Sequence, residues 1–170
     1  MIGADWARLM ARYNAWQNEN LLASADGLDD AARRLDRGAW FGSIHGTLSH
    51  LLWGDLMWMS RLAGGSPPPK ATTPAETATA FPEWGAYKDQ RRLTDRHIAD
   101  WAAGLDQGDI DGDLSWYSGI MKRDLVKPRA ICIAGFFNHQ THHRGQVHAM
   151  LTAAGTRPGD TDLFLMPEST

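Results

Sequence analysis

The sequence predicts an all-α fold carried by four long helices, with a short two-stranded hairpin ahead of the last, and three observations lead there. Through residues 6–21, 84–105 and 133–151 the apolar side chains recur at steps of three and four, the period of a helix that buries one face. Residues 44–59 are apolar around most of a helical circumference, as expected of a helix packed on several sides. Glycine and proline then close these runs, most strongly at Gly64-Gly65-Ser66-Pro67-Pro68-Pro69 and again at Gly155, where the chain cannot continue as helix. A chain of 170 residues fits one domain, long enough to bury a core and short for two.

The first helix is expected over residues 5–25, with Asp5 as its cap and Trp6, Leu9, Met10, Tyr13, Trp16 and Leu21 as its stripe. Asn14, Gln17 and Asn20 lie on or near that stripe and read as a solvated helix edge, since buried amides would need partners. Residues 27–42 form a connector with a short helical turn, and Gly38 and Gly42 bracket Ala39-Trp40-Phe41. The second helix is expected from Ser43 to Leu62. Within it Asp55 lines up with Ile44, Leu48, Leu51 and Leu62, so its carboxylate is either held inside, beside a donor or a cation, or spent in a cap or surface salt bridge.

Residues 66–81, rich in proline, threonine and alanine, read as a long surface loop. The third helix follows over residues 82–105, its stripe running through Trp84, Tyr87, Arg91, Thr94, Ile98, Trp101 and Leu105, with His97 off the stripe and toward solvent. Asp109, Asp111, Gly112 and Asp113 punctuate a turn, and residues 114–126 divide into two extended segments around Gly119. The Asp-Gly-Asp run lacks the ligand series and terminal glutamate of a calcium loop. Lys127-Pro128 opens the fourth helix, with proline in its first turn, and it runs to about Ala154. In the tail, Leu163-Phe164-Leu165-Met166 is apolar enough to pack back onto the helices.

Composition excludes several classes. A net charge of -3 with no Lys/Arg cluster offers no field for nucleic acid. No apolar run reaches the ~20 residues needed to span a bilayer, and the N-terminus lacks the pattern of a signal peptide, so a cytoplasmic location is expected. The single cysteine, Cys132, lies in Ala130-Ile131-Cys132-Ile133-Ala134 and reads as a small buried hydrophobe. Eight tryptophans are many for this length and point to aromatic anchors between helices.

The chemistry concentrates in the fourth helix, where His139, His142, His143 and His148 fall within ten residues. Placing Ile133 at 0° and advancing about 100° per residue collects Phe136, Gln140, Val147, Met150 and Leu151 into a buried arc centred near about 320°. His143 falls inside that arc and His139 at its edge, one turn apart, while His142 and His148 point elsewhere. Two imidazoles four residues apart on one face can grip one metal ion. Gln146 stands on the same line beyond His143, placed to donate a hydrogen bond to it. A catalytic metal usually takes three protein ligands and keeps a position open, so a third must come from another helix. His50 and His45 are the candidates, with Asp55 a carboxylate option, and spacing alone does not choose among them. Arg144, at the edge of the arc, is placed for an ion pair or for a substrate carboxylate.

Three segments together resemble the DinB/YfiT-like superfamily of metal-binding four-helix bundles. They are Tyr13-Asn14-Ala15-Trp16, then Ser49-His50-Leu51-Leu52-Trp53-Gly54-Asp55 with Trp58, and His139-Gln140-Thr141-His142-His143-Arg144-Gly145-Gln146. The resemblance spans nearly the whole chain, and its most specific part is the histidine pair running into Arg-Gly-Gln. It implies a four-helix bundle with a long crossover, a homodimer, and a divalent ion such as nickel or zinc held by His50, His139 and His143. Relatives with an assigned activity use low-molecular-weight thiols, so the resemblance implies a metal-dependent thiol S-transferase or a related enzyme working on a metal-activated thiol. Metal-assisted hydrolysis is the first alternative, although no dedicated base is evident, and a non-enzymatic, stress-related metal-binding dimer is the second.

Overall fold

A computed structural model describes residues 2–119 and 121–168. The four expected helices are present as α1 (Ala4–Asp26), α3 (Ile44–Leu62), α5 (Trp84–Gly104) and α7 (Arg129–Ala153). Short helical pieces α2 (Asp30–Arg34), α4 (Pro74–Thr77) and α6 (Gln107–Ile110) stand between them. Strands β1 (Asp113–Ser118) and β2 (Arg123–Pro128) pair antiparallel, Trp116 opposite Leu125. Both α2 and α3 begin on a side-chain cap: Asp29 accepts from the Ala32 amide and Ser43 from that of Gly46. Pro128 ends β2 and precedes the first residue of α7; it is not in the first helical turn, because its extended backbone still pairs with Asp113.

α1 packs on α5 and α7, and α3 packs on α7 and α5, so α1 and α3 are diagonal to each other, as are α5 and α7. The apolar core divides into two clusters. One gathers Ala7, Ala11, Met59, Ile98, Ala102, Phe136 and Phe137; the other gathers Leu21, Leu22, Ile44, Leu48, Leu52, Tyr87, Val147 and Leu151. Each helix contributes to both, which fixes its direction. α3 and α5 both start at the second cluster, so the chain between them must return along the bundle, and residues 63–83 form this long crossover. The reversals from α1 to α3 and from α5 to α7 stay at one end each and need only α2 and the hairpin. None of the described helices is long and apolar enough to cross a membrane.

Between the two clusters lies a polar layer to which every long helix contributes. Asp55 takes Arg91 Nη1 at 2.6 Å and Gln140 Nε2 at 3.0 Å; Asp95 takes Arg91 Nη2 at 2.7 Å and the amides of Asn18 and Asn14 at 2.8 and 3.2 Å. Asp55 is therefore held inside, with both a cation and an amide donor. Asn14 and Gln17, expected on a solvated edge, are buried. Asn14 serves the layer, and Gln17 donates to the Asp160 carbonyl at 2.8 Å; the helical stripe continues through them because the core itself is polar at this level.

The tail also differs from expectation. Leu163, Phe164 and Leu165 are exposed, and the segment is tied to α1 through its backbone instead, with Tyr13 Oη donating to Thr161 O at 2.7 Å. His97 is half-buried and rests against Gly65. Cys132 is buried and unpaired, its thiol pKa pushed up by burial.

Candidate metal centre

The expected pair on α7 and one histidine of α3 converge on the α3–α7 interface. His50, His139 and His143 each offer one ring nitrogen, and these three atoms lie within 4.8 Å of one another. His50 Nε2 and His139 Nε2 are 3.1 Å apart. Two nitrogens bound to one ion at about 2.0–2.1 Å would be about 3–3.4 Å apart, so the first pair already has the separation of co-ligands. The group is close enough to hold a metal ion.

Hydrogen bonding on the far side of two rings sets their tautomers. The Thr77 hydroxyl donates to the Pro74 carbonyl, so its oxygen is left to accept from His50 Nδ1–H at 2.8 Å. His143 Nδ1 lies 2.8 Å from Gln146 Oε1, to which it donates. In both rings the proton is on Nδ1 and the Nε2 lone pair is free to bind a cation. With its proton on Nδ1, His50 presents Nε2 as the acceptor in its 3.1 Å contact with His139 Nε2. His139 Nδ1 is buried with no partner among the described residues. Burial pushes the pKa of all three rings down; with the neighbouring rings adding to it, and against the opposing hydrogen bond from His143 to Gln146, that of His50 falls to about 3 and that of His143 to about 4. Neutral imidazoles, the form that ligates metals, are thus the resting state. The donor set and its protonation fit a divalent ion.

The surrounding walls are aromatic. Phe41 stacks on His50 at 3.8 Å between centroids with planes 17° apart, and meets His143 edge-on at 5.5 Å. Its position follows from a tight turn in which the Gly42 amide donates to Ala39 O at 2.8 Å, with Gly42 at φ +72°, a backbone that favours glycine. His50 and His139 also line a cavity of about 700 Å3, whose other walls come from α3, the crossover and the hairpin.

The remaining candidates are excluded or reassigned. His45, the alternative third histidine, is buried on another face, where Nε2–H donates to Phe81 O at 2.8 Å and the ring packs beside Trp84 and Tyr87. Asp55 spends both carboxylate oxygens on Arg91 and Gln140. His142 is exposed and only flanks His143, with centroids 4.8 Å apart. His148 lies 3.4 Å from Gly159 O, away from the trio. Arg144 makes no ion pair among the described residues: it donates to Asn14 Oδ1 and Thr141 Oγ1 and sits over the Tyr13 ring, and burial lowers its pKa to about 10. Thr77 and Phe41 escaped sequence reading. The Thr77 hydroxyl sits in a loop whose path is not periodic, while an aromatic flanked by turn glycines was the one available signal for Phe41.

Four long helices joined through a crossover, with three imidazoles meeting between α3 and α7, define a class of helical bundle built around a histidine cluster. The chain belongs to the DinB family, whose model matches residues 4–170. It is 28% identical to Protein DinB of Bacillus subtilis (strain 168) over 177 residues, an alignment that takes in 98% of each chain. No solved structure matches it.

Proposed function

We propose that His50, His139 and His143 ligate one divalent ion, nickel or zinc, and that the protein is a metal-dependent thiol S-transferase or a close relative of one. The carrying observation is the junction of the histidine trio with a cavity large enough for a small organic molecule. Three ligands leave coordination positions open, and two of the three histidines face that cavity. A divalent ion held there supplies positive charge that lowers the pKa of a thiol brought against it.

The chain's own residues do the rest. Thr77 and Gln146 keep the ligand lone pairs turned inward, and Phe41 stacks on the His50 ring. In the transfer the thiol loses its proton to the medium, its sulfur bonds to an electrophilic carbon of the second substrate, and that carbon releases its leaving group. Hydrolysis is less well supported, because among the described residues no aspartate or glutamate lines the cavity to act as base on water, and Asp55 is sealed in the polar layer. Purified protein should carry a stoichiometric divalent ion and conjugate a low-molecular-weight thiol to a reactive electrophile; His143→Ala should lose both properties. Full turnover by protein stripped of metal would defeat this reading.

A further inference from the structure

The cavity beside the histidines has a charge that the chain as a whole does not. The protein carries a net charge of -3, yet Arg61, Lys70 and Lys122 line this cavity and, among the described residues, no acidic one does. Its body is apolar, with Trp53, Trp58, Trp116 and Leu125 among the walls.

Arg61 is the central cation. Its guanidinium carbon lies 5.1 Å from the ring centroid of Trp58 and 5.3 Å from that of Trp116, and the two indoles meet edge to face. Cation–π contact of this kind fixes the plane of a guanidinium while leaving its N–H edge unspent. Among the described residues Arg61 forms no salt bridge. The nearby Cys132 does not supply an anion, since burial keeps its thiol protonated. Arg91, fully buried in the polar layer, has its charge met by two carboxylates; the half-buried Arg61 has no such partner among the described residues. Arg61 instead lines a cavity of ligand size.

We propose that this cavity binds an organic oxyanion with an apolar, aromatic-sized body. Arg61 receives the anionic head, Lys70 and Lys122 add positive charge at the rim, and the body lies among the three indoles, with its far end reaching His50 and His139. A planar guanidinium recognises carboxylate and phosphate by paired N–H···O bonds, so both head groups belong to the class. The inference deepens the proposed function by naming the class of the second substrate, but binding itself requires no metal.

The test is titration of metal-free protein, followed by tryptophan fluorescence, with 3-phenylpropionate, phenyl phosphate and the neutral 3-phenylpropionamide. At least one anion should bind more than ten-fold tighter than the amide, and the anion that does so identifies the head group. Arg61→Gln should bring anion and amide to the same affinity, and Arg61→Lys should restore part of the difference. Lys122 is exposed on the hairpin, so Lys122→Gln provides a variant with little bearing on folding and should weaken the anion about two- to three-fold. Equal binding of anion and amide, no binding at millimolar concentration, or a preference that appears only with metal and ignores Arg61 would each overturn the proposal. His143→Ala separates the two claims: it should lose metal and keep the anion site, whereas retained metal affinity would count against the metal reading alone.

Discussion

Gly54 of α3 faces the ring of His139 on α7 so closely that a Cβ at position 54 would stand 2.9 Å from His139 Cε1. Real Cβ atoms do not approach a ring carbon that far, so the glycine is the space in which this imidazole lies. Glycine within a helix costs about 1 kcal/mol relative to alanine, and here that cost admits the ring of His139. Gly54→Ala should leave helix content unchanged or slightly favoured while weakening metal affinity by about ten-fold or more, since a displaced ligand no longer converges with the other two. Calorimetric metal titration checks it, and wild-type affinity in Gly54→Ala would show that His139 is not a ligand.

The orienting hydrogen bonds give a second prediction. Thr77→Val keeps the shape of the side chain but removes the acceptor for His50 Nδ1–H, and loss of such a partner typically costs about 10- to 100-fold in metal affinity. Thr77→Ser should recover most of it. Valine and serine variants with the same affinity would assign Thr77 a packing role only.

Stability of the metal-free protein should depend on pH in a definite direction. The folded pKa values of His50 and His143 are lowered to about 3 and about 4 from an unfolded value of 6.5, and burial also lowers those of His45 and His139. Between these limits the unfolded chain binds more protons than the folded one, so stability is full above about pH 6.5 and falls as pH drops toward 4. Melting temperatures measured from pH 7.5 to 4.5 should decline, and His50→Gln/His143→Gln should flatten the decline. An unchanged slope in the double variant would contradict the burial of neutral imidazoles.

The polar layer behind the site should be as demanding as any part of the core. Asp55 and Arg91 are both out of solvent, and removing one partner of such a pair costs about 3–5 kcal/mol because the other charge stays buried. Asp55→Ala should show a loss of that size in urea unfolding, and because it also frees Gln140, the residue next to His139, metal affinity should fall with it. A loss below about 1 kcal/mol would mean that Asp95 alone satisfies Arg91.

The long helices were legible in the sequence because burial writes a period into it, and the inward pair on α7 followed from that same period. What periodicity could not settle was α3, apolar on nearly all sides: its wheel did not separate His45 from His50, and packing against α7 does. The crossover was legible as a loop but not as a structural partner, since Ser49 Oγ donating to Thr77 O at 2.7 Å and Trp53 Nε1 donating to Pro69 O at 2.7 Å tie it to α3 through single contacts without a repeat. Asn14 and Gln17 misled for a related reason: polarity on a stripe reads as surface unless the partners are known, and Asp95, the partner of Asn14, lies 81 residues away.

The claim that three histidines hold one ion is met most directly by elemental analysis of the purified protein, combined with anomalous scattering from its crystals. One divalent ion per chain, located between His50, His139 and His143 and lost in His143→Ala, is the expected result. Protein that takes up no stoichiometric metal when loaded with nickel or zinc, or that retains it in His143→Ala, would contradict the account.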